Sequence, residues 1–140
     1  MSPTSLTRRV TFSAAHRYRR PDWSEEKNAE VFGLCARESF HGHTYQCDVT
    51  VSGPVDVETG FVVDLGMLDV ILAGCITEPL DHRNLNLDVP EFAEGRAIPT
   101  SENLASWVAT RVQAALPSPA VVTRVVVREE PTLWATWERG

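Results

Sequence analysis

Residues 41–51 read HGHTYQCDVTV, and their alternation decides the fold. His41, His43, Tyr45, Cys47, Val49 and Val51 fall on one side; Thr44, Gln46, Asp48 and Thr50 fall on the other. Side chains two apart on a β-strand point the same way, so this is a strand with one apolar face and one polar face. Residues 6–16, LTRRVTFSAAH, repeat the pattern: Leu6, Arg8, Val10, Phe12, Ala14 and His16 alternate with Thr7, Arg9, Thr11 and Ser13. Two imidazoles therefore leave one strand side by side, and a third leaves the end of another strand. All three lie on apolar faces.

A buried imidazole needs a partner. A single one is commonly a hydrogen-bonded core residue, and His-Gly-His alone also arises by chance. Three converging neutral imidazoles suit zinc, with one coordination position left open. The pattern thus offers His16, His41 and His43 as metal ligands.

The chain of 140 residues has the length of one domain, residues 1–140, with room for a real core. A net charge of −6 argues against nucleic acid as the main partner. No apolar run is long enough to span a membrane, and no basic-then-apolar leader opens the chain. Three cysteines without a CxxC pair fit reduced thiols and a cytoplasmic location.

The remaining elements follow from period and punctuation. The charged stretch 17–30 reads as a loop, or a loop with a short helix. Glu58-Thr59-Gly60 marks a turn into a short third apolar run, Phe61 to Val63, with the composition to pair back as a hairpin. Asp64 is an N-cap for a helix through Leu65, Leu68, Ile71, Leu72, Cys75 and Ile76, which Pro79 ends. A second helix opens near Pro99-Thr100-Ser101, carries Leu104, Trp107, Val108 and Val112, and stops at Pro117. Val121–Arg128 and Leu133–Trp137 are too close for a crossover and form an antiparallel hairpin. The order is ββααββ: an α+β fold, a four-stranded antiparallel sheet with two helices on one face. The other face, read as carrying Val122 and Val126, and the open edges call for oligomerisation.

Six ordered blocks carry a resemblance. They are Phe12-Ser13-Ala14-Ala15-His16, Phe32-Gly33-Leu34-Cys35, His41-Gly42-His43, Pro79-Leu80-Asp81-His82-Arg83-Asn84-Leu85, Pro99-Thr100-Ser101-Glu102-Asn103-Leu104, and the region of Glu129. Together they resemble the 6-pyruvoyl-tetrahydropterin synthase family, which includes the 6-carboxytetrahydropterin synthases. The resemblance implies the tunnelling fold and a homohexamer of two stacked trimers, each closing a twelve-stranded barrel. It implies a lyase that takes 7,8-dihydroneopterin triphosphate and releases triphosphate, leaving a 6-pyruvoyl tetrahydropterin, or, with loss of acetaldehyde as well, a 6-carboxy tetrahydropterin. It makes His16, His41 and His43 the zinc ligands, Cys35 the catalytic base and Asp81-His82 a proton relay. Glu129 becomes the carboxylate that grips the adjacent N–H groups of the pterin edge, with Thr100 and Ser101 on the same ring. Glu129 and the zinc site are expected from different subunits. Arg17, Arg19, Arg20, Lys27 and Arg37 are the cations near enough in sequence to meet a triphosphate.

The chain departs from the family pattern at three places. Ser39-Phe40 stand where Asn-Gly is common before the His-Gly-His, Thr44 stands where Asn is common, and Glu130 stands where Thr usually follows the pterin glutamate. The last leaves two adjacent carboxylates as candidates for the grip. The six-residue step from Cys35 to His41 is the longer form, as in the pyruvoyl type. Two other readings share the residues: a non-catalytic pterin- or metal-binding module, and another pterin enzyme of the same fold. Intact Cys35, Asp81 and His82 argue against the first. The triad argues against a metal-free aldolase.

Overall fold

The computed structural model describes residues 3–140. Strand β1 (Thr4–His16) and strand β2 (His41–Gly53) pair antiparallel along their whole length, from Thr4 opposite Gly53 to His16 opposite His41. Their apolar faces coincide, so Phe12, Ala14, Tyr45, Cys47, Val49 and Val51 are buried together. The polar faces coincide as well. Ser5 meets Ser52 at 2.6 Å, Thr7 meets Thr50 at 2.7 Å, and Arg9 holds Asp48 through two contacts of 2.7 and 3.1 Å. Such cross-strand pairs fix the register, because a one-residue slip would exchange the faces.

The stretch after β1 contains helix α1 (Glu25–Phe32), capped by Ser24, and a 3₁₀ turn, Gly33–Ala36. Gly33 takes φ 57°, where glycine is free of strain. After β2, the run Phe61–Val63 does not form a strand, contrary to the sequence expectation. Asp56 closes the segment on itself: its N–H donates to the Phe61 carbonyl, and its Oδ1 accepts from the N–H groups of Glu58 and Thr59. A carboxylate that satisfies a turn this completely removes the need for a hairpin.

Helix α2 (Leu65–Leu72) starts at Asp64, whose side chain accepts from Met67 N–H at 2.9 Å. It does not end at Pro79. The chain passes through a π-turn, Ala73–Thr77, into a last helical turn, α3 (Glu78–Leu80). Proline there withholds the N–H that the carbonyl four residues back would take. That carbonyl, Cys75 O, accepts from Arg111 Nε at 3.2 Å instead. The wide turn and the arginine together let proline sit inside the helix. A two-residue strand β3 (Arg83–Asn84) then pairs parallel with Ala14 and Ala15, and α4 (Leu85–Asp88) follows.

Helix α5 (Ser101–Ala115) packs on the sheet, with Leu104, Val108 and Val112 buried. Strands β4 (Val121–Glu130) and β5 (Leu133–Glu138) close the chain as the expected antiparallel hairpin. The sheet thus has five strands in the order β3-β1-β2-β4-β5, one more than the four expected, because β3 is too short to show a period. Val122 faces the helices, not the open side. A bulge where β4 meets Thr50 and Val51 inserts one residue and puts Val122, Val125 and Val127 on the core face together. Among the described residues no helix is long and apolar enough to cross a membrane.

Candidate functional site

The register of β1 and β2 builds the centre of the site. His16 is directly opposite His41, and His43 is opposite Ala14, so all three imidazoles share the core face at the open end of the ladder. Their ring centroids are 4.6 to 5.1 Å apart, and their ligating nitrogens lie within 4.8 Å of one another. The strand alternation read from sequence thus brings the three together.

His16 is fully buried. Its Nδ1 lies 2.9 Å from the Pro99 carbonyl and 3.1 Å from the Tyr45 hydroxyl. A carbonyl only accepts, so Nδ1 carries the proton and Nε2 keeps its lone pair. That Nε2 is shut off from solvent with no hydrogen-bond partner among the described residues, and so is Nε2 of His43. Burial, with the neighbouring His41, pushes His16 down to about 4. Burial and His43 also lower His41. Two orphaned nitrogens in a cluster of three imidazoles are the donor set a divalent ion such as zinc uses.

Glu129, near the end of β4, stands beside this cluster in the same chain. Its Oε2 is 3.6 Å from His43 Nε2, and its Oε1 accepts from Ser101 Oγ at 2.8 Å. Both Ser101 and Glu129 are buried. The expectation that Glu129 and the triad come from different subunits is therefore corrected: β4 is β2's neighbour, which carries residue 129 to the end of the ladder where the histidines lie. The two adjacent carboxylates differ in position, Glu129 buried beside His43 and Glu130 turned outward. Glu130 is exposed at the hairpin end and accepts from Thr132 Oγ1 at 3.0 Å. Thr100 is the N-cap of α5, its hydroxyl accepting from Asn103 N–H at 3.1 Å. Its neighbour Ser101 is the residue aimed at Glu129.

Cys35 is half-buried on the 3₁₀ turn, and its carbonyl accepts from Tyr18 N–H at 2.7 Å. Burial, and then the charge of Glu129, push its thiol up. The activating positive charge that a basic thiolate requires is not supplied by any lysine or arginine paired to it among the described residues. Asp81 and His82 lie apart, at the β1 edge. Asp81 Oδ1 accepts from Ser13 N–H at 2.8 Å, and His82 N–H donates to Ser13 O at 2.6 Å. The Asp81 carboxylate is 3.0 Å from His82 Nδ1, and the bonds from Ser13 and then His82 hold it below the usual carboxylate range. The His82 backbone is left-handed, φ 59°, and its side chain is 84% exposed. It borders a shallow cavity of about 490 Å³ shared with Ser13, Gly42, His43 and Thr44. No hydrogen bond among the described residues joins the pair to the triad, Cys35 or Glu129. The cations also sort: Arg19 is paired with Glu25 and Glu94, and Arg20 with Asp22.

Sequence reading missed Tyr18, Tyr45 and Pro99. Tyr45 was legible, two residues beyond His43 on the same face. Tyr18 lies past the end of the strand, where alternation no longer applies; its ring meets His16 edge-on at 5.0 Å. Pro99 acts through a backbone carbonyl, which leaves no signal in residue type.

The family model described as 6-pyruvoyl tetrahydropterin synthase matches residues 5–140. A 6-pyruvoyl tetrahydrobiopterin synthase of Drosophila melanogaster is 40% identical over 126 residues, 90% of this chain and 74% of that protein. The human 6-pyruvoyl tetrahydrobiopterin synthase is 41% identical over 112 residues, 80% of this chain and 76% of that protein. The solved structure of the Caenorhabditis elegans 6-pyruvoyl tetrahydropterin synthase superposes with a TM-score of 0.92 at 33% identity, covering 100% of this chain and 98% of that one.

Proposed function

The chain belongs to the 6-pyruvoyl tetrahydropterin synthase family of lyases, and on that premise we propose that it converts 7,8-dihydroneopterin triphosphate to a 6-substituted tetrahydropterin with loss of triphosphate. The six-residue step from Cys35 to His41 favours the 6-pyruvoyl product. The observation that carries the reading is the buried Glu129 carboxylate set 3.6 Å from His43 of the imidazole cluster in the same chain. Glu129 would accept both N–H groups of the pterin's 2-amino and N3 edge, with the Ser101 hydroxyl donating to a second lone pair of Oε1 and fixing the carboxylate.

His16, His41 and His43 would hold zinc through one ring nitrogen each, leaving one coordination position open. Bound there, the ion would supply Lewis acidity toward the substrate's side-chain hydroxyls and a positive charge that favours the Cys35 thiolate. Cys35 would take the proton from the acidified carbon. Asp81 orients the His82 ring for proton transfer.

The exposed Asp81–His82 pair serves the pocket of a second copy in this reading. Among the described residues the outer edge of β5 and most of the outer edge of β1 are unpaired, and the open sheet face is polar. A homohexamer of two trimers would pair those edges and bring His82 to a neighbouring pocket. Three thiols without a disulfide fit a reducing, cytoplasmic compartment.

The test is incubation of metal-loaded protein with 7,8-dihydroneopterin triphosphate, with products identified by mass. A 6-pyruvoyl tetrahydropterin and free triphosphate are expected. A 6-carboxy product would correct the substituent. Binding of the pterin without turnover would overturn the reading in favour of a binding module. Metal analysis of the same protein should give about one ion per chain, falling in His41→Ala.

A further inference from the structure

Phe40 takes φ 63°, in the left-handed region that a bulky side chain enters only under strain. It ends a turn in which its N–H donates to Arg37 O at 3.2 Å, directly before His41. Glycine would adopt that backbone without penalty. A half-buried aromatic ring therefore occupies a position whose backbone favours having no side chain, and the ring's contacts indicate what it does there.

The ring faces the Arg17 guanidinium, whose carbon is 5.8 Å from the ring centroid. The same guanidinium donates from Nη2 to the Ala36 carbonyl at 3.0 Å. The next residue, Tyr18, donates its N–H to the Cys35 carbonyl at 2.7 Å. Three consecutive residues thus form one clamp. His16 belongs to the imidazole cluster, and Arg17 and Tyr18 hold the carbonyls of Ala36 and Cys35. Nε of Arg17 is shut off from solvent and has no partner among the described residues, so one hydrogen bond and the Phe40 ring fix the guanidinium.

We propose that Phe40 is a positioning residue, its ring holding Arg17 against the Ala36 carbonyl and so fixing the Cys35 turn relative to His16 and His41. The role rests on the reading of Cys35 as the base, because a base slightly out of place loses much of its rate.

The test compares Phe40→Gly and Phe40→Tyr with wild type in three measurements: melting temperature, steady-state kinetics, and the rate of Cys35 alkylation by iodoacetamide at fixed pH. Cys47 and Cys75 are buried and do not compete. Phe40→Gly should keep or raise the melting temperature while kcat falls about tenfold or more and KM stays within about twofold. Its Cys35 should be alkylated severalfold faster, because the turn is released. Phe40→Tyr, which keeps the ring, should keep kcat within about threefold. Wild-type kcat in Phe40→Gly overturns the proposal. So does a lost melting temperature alongside the lost rate, which would make the ring ordinary packing, and so does Phe40→Tyr failing like Phe40→Gly. If Cys35→Ala proves fully active, the base assignment has failed separately. The alkylation arm needs no turnover, and an unchanged rate in Phe40→Gly overturns the clamp by itself.

Discussion

Within one chain, Nε2 of His43 lies 3.6 Å from Oε2 of Glu129, while Oε1 of the same carboxylate accepts the Ser101 hydroxyl at 2.8 Å. One buried side chain thus joins the imidazole cluster on β1 and β2 to the start of α5. The Pro99 carbonyl bonded to His16 reinforces the link two residues before Ser101. The proposed metal and pterin positions share a single frame.

Ser101→Ala removes the donor to Glu129 and leaves a buried acceptor unpaired. Removing one partner of such a bond costs about 1–3 kcal/mol, which corresponds to roughly tenfold or more in affinity where the carboxylate serves binding. Pterin binding followed by calorimetry should weaken accordingly, while metal content stays at the wild-type level. Loss of metal in this variant would show that Ser101 supports the histidines and not the pterin grip.

The metal-free protein should lose stability on acidification, in a window set by His16. Its folded value is lowered from 6.5 to about 4. Between those values the unfolded chain binds a proton that the folded chain refuses, so stability rises with pH there and falls as pH drops from 6.5 toward 4. Those 2.5 pH units, from 6.5 to about 4, correspond to about 3 kcal/mol at the upper end. His41, also lowered, acts in the same direction. Thermal melts of chelator-treated protein at pH 7, 5.5 and 4 would show the decline. A flat profile would place His16 outside the buried cluster.

How much of this was legible follows from what each feature depends on. The triad was readable because a strand's period of two needs only one sequence, and the burial of Phe12, Ala14 and Tyr45 bears out the faces assigned to β1 and β2. The caps Asp64 and Thr100 were readable because the signal lies within three residues. Val122 was misplaced because a bulge changes the period, and no residue type announces it. Pro79 misled because its effect was cancelled by Arg111, more than thirty residues away. The placing of Glu129 depended on strand order, which pattern alone does not fix.

Arg111 provides the test of that cancellation. It donates to the carbonyl that Pro79 leaves free, and its guanidinium lies 4.6 Å from the Trp107 ring centroid. Arg111→Met keeps an apolar stem and loses the donor. It should cost about 1 kcal/mol, a drop of about 3–5 °C in melting temperature, with catalysis intact. An unchanged melting temperature would mean that the π-turn alone accommodates the proline.

Cys35→Ala should keep the fold and the metal and lose about a hundredfold or more in rate, as expected for removal of a general base. The three thiols differ by environment. Cys47 is wholly buried and its thiol is pushed up to about 12, so it is inert at neutral pH. Cys47→Ala should therefore lower the melting temperature and leave the rate per folded molecule unchanged. Near-normal turnover in Cys35→Ala would remove Cys35 from the chemistry.

The exposed Asp81–His82 pair sets the last prediction. A proton relay with its histidine 84% exposed and no bond to its own chain's triad is incomplete alone. If a neighbouring copy supplies it, His82→Ala and Cys35→Ala are each inactive, but mixed oligomers regain activity. In a random one-to-one mixture, about a quarter of the pockets would combine an intact Cys35 from one chain with an intact His82 from the next. Co-refolding the two variants should return roughly that fraction of wild-type turnover. A Glu129→Gln chain mixed with Cys35→Ala gives a different result for the same reason. Glu129 lies beside the triad of its own chain, and if Cys35 acts there too, each defect disables its own site and no pocket is rescued. Recovery in the second mixture and none in the first, with subunit exchange verified by light scattering and mass, would reverse the assignment of which residues cross between copies.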